Sequence, residues 1–148
     1  MSTLFAFLHH VCAFTLVSAV AIEFALIRGE LTLSSARRLQ VTDMVLGIAA
    51  GALLVIGLLR VFFFEKGADY YWHSHAFITK FSIFIVIGLL SIIPTVEFLS
   101  WRKAIGEGQV PAISAKKLHL VTAVIHGELL SIVFILLFAA IMARGGWV

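Results

Sequence analysis

Four apolar stretches, each long enough to cross a bilayer, constrain this chain more than any other feature. A helix crosses ~30 Å of hydrocarbon with roughly 20 predominantly apolar residues. The stretches run from about Leu4 to Ile27, Leu39 to Phe64, Ala76 to Leu99 and Leu118 to Ala143. Of the 148 residues, 61% are hydrophobic and 13% charged, against roughly 25% charged in soluble domains. The mean hydropathy is +1.09. A soluble core cannot absorb so much apolar surface without leaving large exposed patches; a bilayer can. The connections are short, so neighbouring spans are antiparallel. The expected fold is all-α, an integral membrane up-down four-helix bundle, with residues 1–148 forming one four-span domain. Pro94 falls in the third span and is expected to kink or loosen it.

The net charge of +3 does not point to nucleic acid, because the basic residues sit at the ends of the apolar runs. Ala19-Val20-Ala21 mimics a signal-peptide cleavage site, but no basic residue precedes the long first run, which favours a retained helix. Arg28, Arg37 and Arg38 lie in or beside the first connection, and Arg102, Lys103, Lys116 and Lys117 in the third. The positive-inside rule then makes these two connections cytoplasmic and leaves both termini outside. Tyr70, Tyr71, Trp72, Trp101 and Trp147 fall at span ends, as in an aromatic belt. Ser34 or Ser35 is expected to cap the second helix, and Ser114 the fourth. The second helix is expected to extend below the membrane through Arg37, Arg38 and Asp43. Gly47-Ile-Ala-Ala-Gly51 is a small-residue pattern read as ordinary close helix packing. The single cysteine, Cys12, forms no disulfide within the chain.

Ionisable residues at membrane depth are costly, and each is a functional-site hypothesis. They are His9, His10, Glu23, Arg60, Lys80, Glu97, His119, His126 and Glu128. At about 100° per residue, His9 and Glu23 share a face with Cys12 and Leu16, while His10 points elsewhere. His126 and Glu128 point in nearly opposite directions, so both cannot face one bundle centre. Arg60 and Lys80 can snorkel outward, and Glu97 and His119 inward. Glu128 is too deep for that and calls for Arg60 or Lys80 as partner, or for neutrality by burial.

Imidazoles on facing helices of a bundle can hold haem iron. The best pair is His9 or His10 with His126, which residue counting separates by roughly 8 Å in depth at 1.5 Å per residue. Arg60 and Lys80 would meet the propionates of a haem b, and Glu23 or Glu128 would carry protons. On this reading the protein is a membrane oxidoreductase passing electrons between haem and a quinone or other lipid-soluble partner. A copper or zinc site built from His10, Cys12, His73 and His75 is the alternative, since imidazole and thiol suit those metals. The third possibility is a cofactor-free accessory subunit. GxSxG, HExxH, P-loop and CxxC motifs are absent. Intramembrane carboxylates also suit a proton or ion path; four spans are few for a transporter and would need a homo-oligomer.

The whole chain resembles a bacterial inner-membrane family, domain-of-unknown-function 2214. The residues that carry the resemblance are Phe7-Leu8-His9-His10, Glu23, Ala36-Arg37-Arg38 with Asp43, and the run Gly57-Leu-Leu-Arg60-Val-Phe-Phe-Phe-Glu-Lys-Gly67. Tyr70-Tyr71, Lys80, Leu89-Leu-Ser-Ile-Ile-Pro-Thr95 and Met142-Ala-Arg-Gly145 complete it. The order of features is also similar to the four-helix membrane protoporphyrinogen oxidase, a haem-b protein, with His9 or His10, Arg37-Arg38 and Trp72-His73 with Lys80 in similar places. Lys80 lies further from Trp72 than in that pattern, and no histidine falls between Ile92 and Trp101. A looser likeness extends to copper-resistance membrane domains. These resemblances imply the inner membrane, haem b, or copper.

The charge asymmetry makes a topology prediction. With Cys12 replaced by serine, Asp69→Cys is expected to react with a membrane-impermeant thiol reagent on intact cells. Glu107→Cys is expected to react only after the membrane is opened; the reverse pattern would invert the orientation.

Overall fold

Helices satisfy their own backbone amides and carbonyls except at their ends, and the sequence supplies caps at several starts. In the computed structural model, which describes residues 2–146, the first span is α1 (Ser2–Arg28). α2 (Leu33–Leu59) starts ahead of its apolar stretch. Its cap is Thr32, not Ser34 or Ser35. The Thr32 hydroxyl accepts from the Ser35 amide at 3.1 Å, and the Ser35 hydroxyl accepts from the Thr32 amide at 2.8 Å. Ser35 is thus the returning half of a capping box, with serine in the role usual for Glu or Gln. α2 runs into a π-helical turn, Arg60–Phe64. A short helix, α3 (Ala68–Trp72), follows Gly67, whose φ of 90° a side chain would strain.

The third span, His75–Gly106, is broken into α4 (His75–Leu90), α5 (Ile92–Ser100) and α6 (Arg102–Gly106). Ser74 caps α4. The expected disturbance from Pro94 takes the form of an interruption at Ser91. Proline offers no N–H to the Leu90 carbonyl one turn earlier, and the Ser91 hydroxyl turns back to the Gly88 carbonyl at 2.7 Å. α7 (Ala115–Ala143) is the fourth span, capped by Ser114 as expected.

The protein is an all-α, multi-pass membrane protein with four helical segments long and apolar enough to cross a bilayer. α1 packs against α2 and α7, α4 against α7, and α5 against α2 and α7, which closes the bundle into a ring. At most 22% of the apolar window of any span is buried. Phe14, Phe63 and Ile48 are 73%, 74% and 67% exposed. In water that surface would drive aggregation; in lipid it is the required exterior.

Three apolar clusters fill the interior. At the end carrying the first and third connections, Ile27, Leu39, Phe98, Trp101, Ile105, Val121 and Ile125 pack together. Ala19, Val20 and Leu46 fill the middle, and Val61, Tyr71 and Phe77 the end carrying the termini. Trp101 and Tyr71 are therefore core residues rather than belt residues. Trp72 is exposed, and Trp147 lies outside the described residues. Gly47 and Gly51 meet no neighbouring side chain. They are exposed on α2, so the small-residue pattern is not used for packing within the chain.

The capping box gives a stability prediction. Thr32→Ala is expected to cost about 1 kcal/mol, the usual worth of an N-cap, and to lower the unfolding midpoint in detergent. Thr32→Ser should restore it.

Candidate functional site

Polar side chains inside the bundle gather in two places. The first is a cavity of about 290 Å³ at the end carrying the termini. Its apolar wall comes from Leu53 and Leu54 on α2, Phe77, Phe81 and Phe84 on α4, and Ile135, Leu136 and Met142 on α7. Its polar lining is His9, His10, Arg60, Glu65, Tyr71 and Lys80.

Local structure explains the arrangement. Gly57 lets His9 approach α2: a Cβ on Gly57 would stand 3.4 Å from His9 Cε1. The π-turn carries Arg60 and Val61 onto the cavity wall, and such turns recur at functional sites. Gly67 reverses the chain so that α3 brings Tyr71 back over the cavity.

The electrostatics are unbalanced. Arg60 pairs with Glu65 at 2.6 Å. Lys80 has no ion pair among the described residues; its ammonium lies 5.6 Å from the centre of the Phe77 ring. The charges of Arg60 and Lys80 both act on His9. His9 Nδ1 and Arg60 Nε are buried without hydrogen-bond partners. Burial, reinforced by the Glu65 carboxylate, pushes the Tyr71 phenol above its ordinary value, so Tyr71 is a neutral donor at physiological pH.

The second gathering is a layer of carboxyls. Glu23 from α1, Asp43 from α2 and Glu128 from α7 are 0%, 6% and 5% exposed. Thr95 on α5 donates to Asp43 Oδ1 at 2.9 Å. Neither oxygen of Glu23 has a hydrogen-bond partner, nor does Oε2 of Glu128. Asp43 is thus buried inside the bundle rather than on its surface. Helical phase held the signal, since Asp43 lies four residues after the buried Leu39 and three before the buried Leu46. Glu128 pairs with neither Arg60 nor Lys80; it faces the other carboxyls.

The remaining candidates separate. His126 is exposed, edge-on to Phe24 with ring centres 5.6 Å apart. Phe24 stands fifteen residues along α1 from His9, roughly 22 Å at 1.5 Å per residue. The structure therefore does not bring His126 and His9 to one ligand, and His126 is absent from the cavity lining. His10 is exposed, its Nδ1–H donating to the Ala6 carbonyl at 2.7 Å. His73 does the same to the Asp69 carbonyl at 2.7 Å. Cys12 is half-buried and His75 exposed. Among the described residues, no three His, Cys, Asp or Glu side chains converge as a metal-ligand set. Glu97 is held by Trp101 Nε1 at 3.1 Å and Lys117 at 3.7 Å, and His119 is exposed. Sequence reasoning did not anticipate Gly57, Glu65 and Tyr71 as parts of the cavity. The run Gly57–Gly67 carried the only hint, through its density of glycine, charge and aromatic residues.

The contact between His9 and Gly57 is testable. Gly57→Leu is expected to drive the imidazole out of the cavity and, by NMR, to shift the His9 ring resonances while leaving those of His126 unchanged. Shifts of equal size in both would show a general loss of packing.

A family model described as a predicted membrane protein (DUF2214) matches residues 1–146. No curated protein and no solved structure matches the chain.

Proposed function

The chain belongs to the DUF2214 family of predicted membrane proteins, and we propose that this member binds an anionic, lipid-soluble molecule in the cavity at the end carrying the termini. One observation carries the reading: the ammonium of Lys80 lines an apolar cavity with no carboxylate partner among the described residues. A buried charge without a partner is costly. The sole carboxylate of the cavity lining, Glu65, is already engaged by Arg60. A carboxylate or phosphate on an apolar body would balance Lys80, accept from Arg60 Nε or Tyr71, and lay its tail along Phe81, Phe84 and Leu136. A quinone would accept hydrogen bonds there but would leave the charge of Lys80 uncompensated.

A second reading keeps haem b as the anionic molecule, with a redox role in the membrane. Its support is the unpartnered Nδ1 of His9 beside two cations that would meet the propionates. The fit is partial. The cavity stands at the lower end of the usual range for small-molecule pockets, about 300–1,000 Å³, so much of a macrocycle would stand in lipid. His126 is not positioned as a second ligand. Copper or zinc handling by His10, Cys12, His73 and His75 would require those side chains to move together. An accessory subunit with no cofactor would leave Lys80 unbalanced.

The test is a binding comparison in detergent between a long-chain fatty acid and the alcohol of equal length. The acid is expected to bind at least about tenfold more tightly, a difference of ~1.4 kcal/mol, and Lys80→Gln should remove that preference. Equal affinity for the two would overturn the anion reading. Visible spectra of protein expressed with ample haem decide the second reading. A Soret band lost in His9→Ala but retained in His126→Ala would support it, and a colourless protein would remove it.

A further inference from the structure

The carboxyl layer lies apart from the cavity and has no part in the ligand reading. Each of its members sits between two apolar clusters. On α1, Glu23 falls between Val20 and Ile27; on α2, Asp43 falls between Leu39 and Leu46. On α7, Glu128 falls between Ile125 and Leu129. Apolar clusters thus lie on both sides of the layer along the bundle axis. The groups that act electrostatically on Glu23 are Asp43 from α2 and Glu128 from α7, and both are acids. From α5 the layer receives the Thr95 hydroxyl, which is spent on Asp43. No cation and no hydrogen-bond donor reaches Glu23 among the described residues.

An ionised Glu23 here would be a fully buried charge with no donor among the described residues, facing two further acids. Desolvation alone makes that state costly. A cation would relieve it, but a metal ion needs several oxygens around one point. Among the described residues no three acidic, histidine or cysteine side chains converge closely enough for that. A proton needs only one oxygen.

We propose that Glu23, buried without a partner and with the buried acids Asp43 and Glu128 acting on it from α2 and α7, is a proton-binding site inside the membrane-spanning bundle. The proton covers the carboxyl that lacks every other partner. The break in the third span at Ser91 and Pro94 places an interrupted helix beside Thr95, the residue that ties Asp43 to α5.

Infrared spectroscopy of the full chain reconstituted in lipid at neutral pH tests this directly. The wild type is expected to show the carbonyl-stretch band of a protonated carboxylic acid, moving to lower frequency in D₂O. Glu23→Gln, isosteric with the neutral acid, is expected to lose intensity in that band and to keep a thermal midpoint within a few degrees of wild type. A wild type with no such band, or a Glu23→Gln spectrum identical to wild type, would overturn the proposal. So would a large rise in midpoint on Glu23→Gln, because that would report relief of a buried negative charge. If Glu23→Gln fails to fold, Glu128→Gln and Asp43→Asn decide. Displacement of the band in either supports a protonated Glu23 that feels its neighbouring acids, and an unchanged band in both refutes it.

Discussion

Hydrocarbon offers no hydrogen bonds, and this one constraint orders the whole structure. Backbone groups are satisfied within helices, so the chain folds as four long helical segments with capped starts. Apolar side chains gain little by burial against one another in lipid, so the bundle leaves most of its apolar surface outward. The force that decides which face turns inward is then the need of polar side chains for company. Glu23, Asp43, Glu128, Lys80 and Arg60 all point into the bundle or its cavity, and the apolar clusters fill the space between them. Polar groups specify the register of this bundle, where in a soluble one the apolar stripe would.

The two polar regions have opposite character. At the end carrying the termini, cations and imidazoles line a wall of aromatic and aliphatic side chains. Nearer the opposite end, three buried acids from three helices lie with a single hydroxyl donor, Thr95, among them. Oppositely charged groups within one bundle could have paired, and Glu128 with Lys80 would have been the economical arrangement. Depth along the bundle prevents it. Lys80 stands near the start of α4, at the level of Leu136 and Ala139 on α7, whereas Glu128 lies two to three turns further along, roughly 12–16 Å at 1.5 Å per residue. The separation is built into the lengths of the helices, and it leaves each region in need of a counterpart from outside the chain: an anion in one case, protons in the other.

Much of the fold was legible because the bilayer writes its thickness into the chain as runs of apolar residues, and proline and capping residues mark the breaks. The site was legible only in part. Depth marked Glu23, Arg60, Lys80 and Glu128 as costly in lipid, because that cost depends on residue type alone, but it left Arg60 and Lys80 free to snorkel outward and did not decide whether His126 or Glu128 turns inward. Which of them meet depends on helix rotation and on the π-turn at Arg60–Phe64, and neither has a strong sequence signature. His126 shows the limit: a histidine at membrane depth is costly as a charge but tolerable as a neutral ring, and this one rests against Phe24 at the surface. Asp43 was left out of the inward-facing candidates because its neighbours Arg37 and Arg38 suggested water, while the buried face defined by Leu39 and Leu46 already included it. Tyr71 and Trp101 were assigned to the interface by type and turned out to be core, since an aromatic ring at a span end packs wherever the adjoining helix leaves room.

Coupling between the two regions can be bounded by magnitude. His9 and Glu23 are fourteen residues apart on α1, roughly 21 Å. Two unit charges at that distance interact by about 0.8 kcal/mol at an effective dielectric near 20, which is a few-fold change in an equilibrium. An anion entering the cavity would therefore alter proton occupancy of the carboxyl layer only modestly through space. Stronger coupling has to be mechanical, and the elements for it are specific. α1, α2 and α7 each contribute to both regions, His9 is wedged against Gly57 on α2, and Asp43 on that same helix is tied to α5 just beyond the Ser91 break. A ligand that displaced His9 would press on α2 directly, and the Asp43–Thr95 hydrogen bond is where a shift of α2 relative to α5 would be felt.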